Sequence, residues 1–176
     1  MKTNAALIGF MGAGKTAVGK ALAEKLGKKF VELDSLIEQK AGKSIPEIFE
    51  QDGEIAFREL EIEVTKEVSR GKNLVIACGG GVVLNKINID RLREESIIVY
   101  LTASQRVILK RMLGRKEGVR PPLKGEDLSS TIQGFLRLRK PFYERAADIR
   151  IDTSKLDINA VAEKIIDMLK ENEGFN

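Results

Sequence analysis

Eight residues near the start of the chain, Gly9-Phe10-Met11-Gly12-Ala13-Gly14-Lys15-Thr16, constrain what the rest can fold into. They fit the phosphate-loop (P-loop) pattern of two glycines separated by four residues, then Lys, then Ser or Thr. Ala5-Ala6-Leu7-Ile8 before them reads as a short buried strand, and Val18 to Leu26 after them as an amphipathic helix. In that setting the loop turns its backbone N–H groups towards a phosphate chain, and the helix N-terminus adds partial positive charge. Glycines are needed because a Cβ would block close approach and the unusual φ/ψ values. Lys15 can then reach the β- and γ-phosphates of a nucleotide, and the Thr16 hydroxyl can ligate Mg²⁺. A chance glycine-rich turn would have no reason to carry a strand and a helix on the correct sides.

The chain of 176 residues is read as one domain, 1–176, with a single core. Its 43% hydrophobic and 32% charged residues are ordinary for a globular protein. Thirty basic against 26 acidic residues leave a formal charge of +4. Nucleic-acid binding calls for a basic stripe with interleaved aromatics. The basic cluster here, Lys110 to Arg120, is explained instead by small anionic ligands. A single cysteine, Cys78, excludes an intramolecular disulfide and suits a reducing cytoplasm. No run is long enough to span a membrane, no signal peptide is read, and no exposed apolar stripe demands a dimer; a cytoplasmic monomer is expected. With no histidine in the chain, carboxylates, lysines and arginines must carry any chemistry.

Along the chain, strands alternate with helices. Gly27 stops the first helix, and Phe30 to Asp34 reads as a strand with Glu32 and Asp34 on one side of its pleat. Ser35 to Ala41 reads as a helical turn or two. Ser44-Ile45-Pro46-Glu47 starts the next helix with a capping box, and Phe57, Leu60, Val64 and Val68 form the stripe of a longer one. Strands over Asn73–Cys78, Ile97–Leu101 and Ile149–Asp152 follow, with helices at Ile87–Glu95, Ala103–Leu113, Glu126–Ala146 and Ile158–Leu169. The tail from Glu171 to Asn176 is expected to fray. The pattern predicts a three-layer α/β/α fold of the P-loop kinase type, with a five-stranded parallel sheet. A mobile lid is expected over residues 113–124, which are polar and rich in Gly and Pro.

Ligands of open α/β sheets sit outside the carboxyl ends of the strands. Four polar features fall there. Beside the P-loop stand Glu32 and Asp34, one placed to face a metal and the other a substrate. The third strand ends in Cys78-Gly79 without the usual acid, so Glu32 is the nearest substitute. Gly79-Gly80-Gly81 permits close backbone approach to a ligand, or is only a tight packing turn. Among the arginines, Arg58, Arg139, Arg111 and Arg115 each read singly as surface charges. Arg120, between Gly118 and Pro121-Pro122, suits a hinged lid that neutralises a moving phosphoryl group. Phe49 and Phe57 read as core.

Taken together these motifs resemble the shikimate kinase family, from about Ala6 to Ile165. The likeness is carried by the P-loop with Val18-Gly19, Asp34 with Ile37-Glu38, Ser44 to Phe49, Gly53-Glu54 with Phe57-Arg58-Glu61, the glycine triplet, Arg120-Pro121 and Arg139-Lys140-Pro141-Phe142-Tyr143. The resemblance implies an ATP-dependent kinase acting on the 3-hydroxyl of shikimate, with helices over residues 33–62 around the acceptor. By the same resemblance Gly12, Ala13, Gly14, Lys15, Thr16 and Ala17 hold the ATP phosphates, and Thr16 with Glu32 holds Mg²⁺. Asp34, Arg58, Gly80 and Arg139 bind shikimate, with Gly79 and Gly81 beside them; Asp34 acts on the hydroxyl. Arg120 is the lid arginine, and Arg111 and Lys155 contact adenine. Two positions depart from the family pattern: Glu32 where Asp is usual, and Arg120-Pro121-Pro122 where Arg-Pro-Leu is commoner. Rival readings are a gluconate or nucleoside monophosphate kinase, and a nucleotide-binding regulator without catalysis.

Overall fold

The computed structural model describes residues 1–114, 127–155 and 157–176. Five strands, β1 (Asn4–Ile8), β2 (Lys29–Glu32), β3 (Leu74–Ala77), β4 (Ser96–Thr102) and β5 (Ile149–Asp152), form one parallel sheet in the order β2-β3-β1-β4-β5. Among the described residues eight α-helices join and flank them: α1 (Lys15–Leu26), α2 (Leu33–Ala41), α3 (Ile45–Gln51), α4 (Gly53–Ser69), α5 (Lys86–Glu95), α6 (Gln105–Leu113), α7 (Leu128–Ala146) and α8 (Ile158–Lys170).

Alternation along β1 separates the two cores. Ala5 and Leu7 face α1 and α8, packing with Leu22, Val99, Ile151, Ile165 and Leu169. Ala6 and Ile8 face the opposite layer, with Ile37, Ile48, Val64, Ile98 and Tyr143. Each large aliphatic side chain buried this way contributes about 1.5–3 kcal/mol. That is the predicted three-layer architecture. The sheet order also has a functional consequence. β2, β3 and β1 are adjacent, so the loops leaving their carboxyl ends lie side by side.

Local signals for helix ends hold well. Gly27 caps α1 with φ 63°, and Gly42 caps α2 with φ 69°. The Ser44 hydroxyl accepts from the Glu47 N–H at 3.3 Å while Glu47 Oε2 accepts from the Ser44 N–H at 2.7 Å, the reciprocal pair of a capping box. Two expectations fail. β2 ends at Glu32, and Asp34 lies in the first turn of α2, so the two carboxylates do not share a pleat. Leu33 is buried whether the backbone continues extended or starts a helix, which is why the alternation misled. The tail does not fray: Phe175 bridges Lys2 in parallel register and packs against the α1–α8 core. The expected lid beyond Gly114 lies outside the described residues. Among those residues no helix is long and apolar enough to cross a membrane.

Candidate active site

The P-loop leaves β1 with Gly12 at φ 83° and Gly14 at φ 99°, both in the region where a side chain would be strained. Gly14 is also the N-cap of α1 and brings no side chain to the helix end. The first-turn N–H groups therefore have no side-chain cap, an arrangement that suits an anion. Lys15 Nζ donates to the carbonyls of Gly9 (2.5 Å) and Phe10 (3.0 Å), which folds the ammonium into the loop. Thr16 Oγ1 lies 3.4 Å from Glu32 Oε1, joining the start of α1 to the end of β2. Gly12, Gly14, Lys15, Thr16, Ala17, Glu32 and Asp34 line one pocket, floored by Cys78 and Gly79. Burial pushes the Cys78 thiol up to about 12, so it stays protonated and inert.

Behind the loop, Arg111 of α6 donates to the Gly12 carbonyl at 2.9 Å and to the Thr153 carbonyl at 2.5 Å. The Thr153 hydroxyl, fully buried, donates to the Ala13 carbonyl at 2.6 Å. Arg111, expected at adenine, thus has its guanidinium tips on the back of the P-loop. Lys155 is exposed in the β5–α8 connection close to Asp152. The Asp152 carboxyl is held low by hydrogen bonds from Ser154, with Arg111 and Lys155 adding their charges. Arg120 lies outside the described residues.

A second pocket adjoins the first and is built from side chains. Asp34 (α2), Arg58 and Glu61 (α4), Gly79, Gly80 and Gly81 after β3, and Arg139 (α7) line it. The glycines are there for space, since none has a positive φ. A Cβ on Gly79 would stand 3.0 Å from Asp34 Oδ1 and 3.3 Å from Glu61 Oε2. One on Gly81 would press into the Arg58 guanidinium, 2.6 Å from Nη2. One on Gly80 would reach 3.5 Å from Arg139 Nη1. The triplet lets the acid and both arginines close onto one turn.

Neither arginine is a surface charge. Arg58 Nη1 donates to Glu61 Oε1 at 3.0 Å, and the guanidinium lies over the Phe57 ring. Arg139 is 7% exposed, sits over Phe135 at 5.0 Å, and its Nε has no hydrogen-bond partner among the described residues. A buried guanidinium with an unused donor is poised for an anionic ligand. Phe49 and Phe57, expected as core, do pack in it, 4.8 Å apart, and also line the apolar side of the pocket.

Glu61 is the residue that sequence reasoning undervalued. It is 1% exposed, and burial raises its pKa, opposed mainly by the charge and hydrogen bond of Arg58. Its spacing of three from Arg58 on a helix was a readable signal; its burial was not. Thr153 was missed outright, and no local pattern marks it.

Asp34, Gly79 and Gly80 belong to both pockets. A group bound beside the two arginines and a phosphate chain on the P-loop would meet there. The family model described as shikimate kinase matches residues 11–170. The shikimate kinase of Caldanaerobacter subterraneus subsp. tengcongensis is 48% identical over 163 residues, covering 93% of this chain and 94% of the relative. That of Thermodesulfovibrio yellowstonii is 47% identical over 163 residues, covering 93% and 92%. Among solved structures, shikimate kinase from Acinetobacter baumannii in complex with shikimate matches with a TM-score of 0.92 at 38% identity, covering 98% of this chain and 96% of that one. A gluconokinase from Sinorhizobium meliloti, at 20% identity and a TM-score of 0.59, shares the fold alone. The chain belongs to the shikimate kinase family.

Proposed function

We infer that the chain transfers the γ-phosphoryl group of ATP to the 3-hydroxyl of shikimate, giving shikimate 3-phosphate and ADP. The observation that carries this reading is the sharing of Asp34, Gly79 and Gly80 between the phosphate pocket and the arginine-lined pocket. Arg58 and Arg139 grip the acceptor carboxylate, a task that suits a planar guanidinium fork better than an ammonium. Their grip turns the acceptor hydroxyl towards Asp34, which orients it and accepts its proton. The backbone of Gly12 to Ala17 cradles the ATP phosphates, and Lys15 leaves its loop carbonyls for the phosphoryl oxygens as charge develops there. Arg120 would add its charge from the lid, and Arg111 and Lys155 flank the adenine side.

The donors near the phosphates fit Mg²⁺. Thr16 and Glu32 offer only oxygens, and no cluster of three or more His, Cys, Asp or Glu able to hold a metal occurs among the described residues. A hard cation that draws most of its ligands from phosphate and water asks for no more than that. When bound, it supplies charge neutralisation on the phosphate oxygens. The same reading takes the working unit as a monomer, because one chain lines both pockets, and takes it as a cytoplasmic enzyme of small anions rather than of nucleic acid.

The decisive variant is Asp34→Asn, which keeps size but loses the charge and the proton acceptor. Turnover with shikimate should fall by on the order of a hundredfold or more. Nucleotide binding, followed by calorimetric titration, should persist. Unchanged turnover, or faster turnover with gluconate or a nucleoside monophosphate in a parallel panel, would overturn the acceptor assignment. A collapse of nucleotide affinity would move Asp34 to the metal instead.

A further inference from the structure

Tyr143 is fully buried on α7, one turn after Arg139. Its ring stacks on Tyr100 of β4, with centroids 5.0 Å apart and planes at 23°. Packing alone does not call for a hydroxyl. The same helix packs aromatic rings without a hydroxyl at Phe135 and Phe142, and an unpaired hydroxyl in a core is destabilising. The Tyr143 hydroxyl is paired: it donates to the carbonyl of Gly80, in the middle of the glycine turn. Burial pushes its pKa well up, so it remains a donor at any working pH. The Arg139 guanidinium one turn away opposes that shift through its charge. One hydroxyl therefore holds the turn against which Arg139 of the acceptor pocket closes.

What this does to the turn follows from peptide geometry. A trans peptide is planar, and its carbonyl and the following N–H point in opposite directions. Holding the Gly80 carbonyl against α7 therefore aims the Gly81 N–H away from α7. The remaining bonds of the turn, Val82 N–H to the Gly79 carbonyl and Leu84 N–H to the Gly81 carbonyl, leave that peptide plane otherwise undetermined. Glycines on both sides of it offer no side chain to restrict rotation.

We propose that Tyr143 is a positioning residue of the acceptor site, its hydroxyl fixing the Gly80–Gly81 peptide, beside Arg139, in the orientation that receives shikimate. This rests on the acceptor assignment above. Tyr143→Phe keeps the ring stack and removes only the oxygen. The Kd and KM for shikimate should rise by on the order of tenfold, while kcat changes by less than about threefold and the KM for ATP by less than about twofold. Tyr100→Phe removes the neighbouring hydroxyl and should leave all of these within about twofold of the wild type. Thermal melts of each variant accompany the titrations. Wild-type shikimate affinity in Tyr143→Phe would overturn the assignment. So would equal weakening of ATP and shikimate, or loss of a cooperative melt, since either makes the hydroxyl a general folding element. A wild-type chain that neither binds nor phosphorylates shikimate would overturn the acceptor reading and this inference with it. Normal wild-type turnover with an unaffected Tyr143→Phe would overturn this inference alone.

Discussion

The two adjoining pockets are made of different material. The phosphate side is a contiguous loop whose polar surface is backbone, and the surrounding side chains mainly hold its carbonyls. Lys15 takes those of Gly9 and Phe10, Arg111 that of Gly12, and Thr153 that of Ala13. The acceptor side is the reverse: Asp34, Arg58, Glu61 and Arg139 come from three helices and converge on a turn that has no side chains. On the proposed function the difference follows from what each would recognise. A phosphate chain is a generic anion that a row of N–H groups at a helix end can hold. A particular carboxylate and hydroxyl on a small ring require side chains of chosen length and charge. Asp34, Glu61 and Arg139 are buried and Arg58 is half-buried, and burial is costly unless each charge is paired or awaits a partner. Hence the acceptor side carries an internal ion pair, and the phosphate side among the described residues relies on carbonyl contacts.

The largest expected effect tests whether the two sides are separable. Lys15→Ala should lower kcat by on the order of a hundredfold or more, through lost stabilisation of the moving phosphoryl group. Shikimate affinity measured by calorimetry should hardly change. Equal loss of shikimate binding would break the division.

A smaller effect is expected from Arg58→Ala and Arg139→Ala, which should raise the KM for shikimate and leave that for ATP nearly unchanged. Each should cost roughly 2–4 kcal/mol in kcat/KM, because a charge-assisted pair is lost in a dry site. The two should differ in stability. Arg58→Ala strands the buried Glu61, whereas Arg139 has no carboxylate salt-bridge partner among the described residues. A lower Tm for Arg58→Ala than for Arg139→Ala sharpens the picture of an internally braced pocket; the opposite order contradicts it.

The smallest expected effect concerns Glu61 itself. Its folded pKa lies above the ordinary 4.5, chiefly through burial. The folded state then holds this proton more tightly than the unfolded chain does. The stabilisation is fully present below about pH 4.5 and is lost as pH rises through the folded value. Glutamine cannot titrate, so the stability of Glu61→Gln relative to wild type should improve as pH rises across that window. Melts of both proteins from about pH 4 to about pH 7 measure it. A constant difference across that range would mean that Arg58 compensates the burial in full.

The local chemistry was legible from the residues alone. A loop with Gly9, Gly12 and Gly14, a capping box at Ser44 and Glu47, and stop signals at Gly27 and Gly42 each act within a few positions, so spacing suffices to read them. Strand and helix alternation likewise determined the layered fold, because each element must bury one face. Errors arose where neighbours in sequence were a poor guide. The alternation through Leu33 hid the change from strand to helix at Asp34, and the contact of Phe175 with the start of the chain has no local trace. Only the tertiary structure decided the strand order that sets β2, β3 and β1 together, and with it the meeting of Asp34, Glu61 and Arg58 at the glycine turn. It alone turned two arginines that read as solvated charges into a buried one, Arg139, and a half-buried one, Arg58. Whether a charged side chain lies in water or in a pocket depends on what other segments cover it, and that is a non-local property.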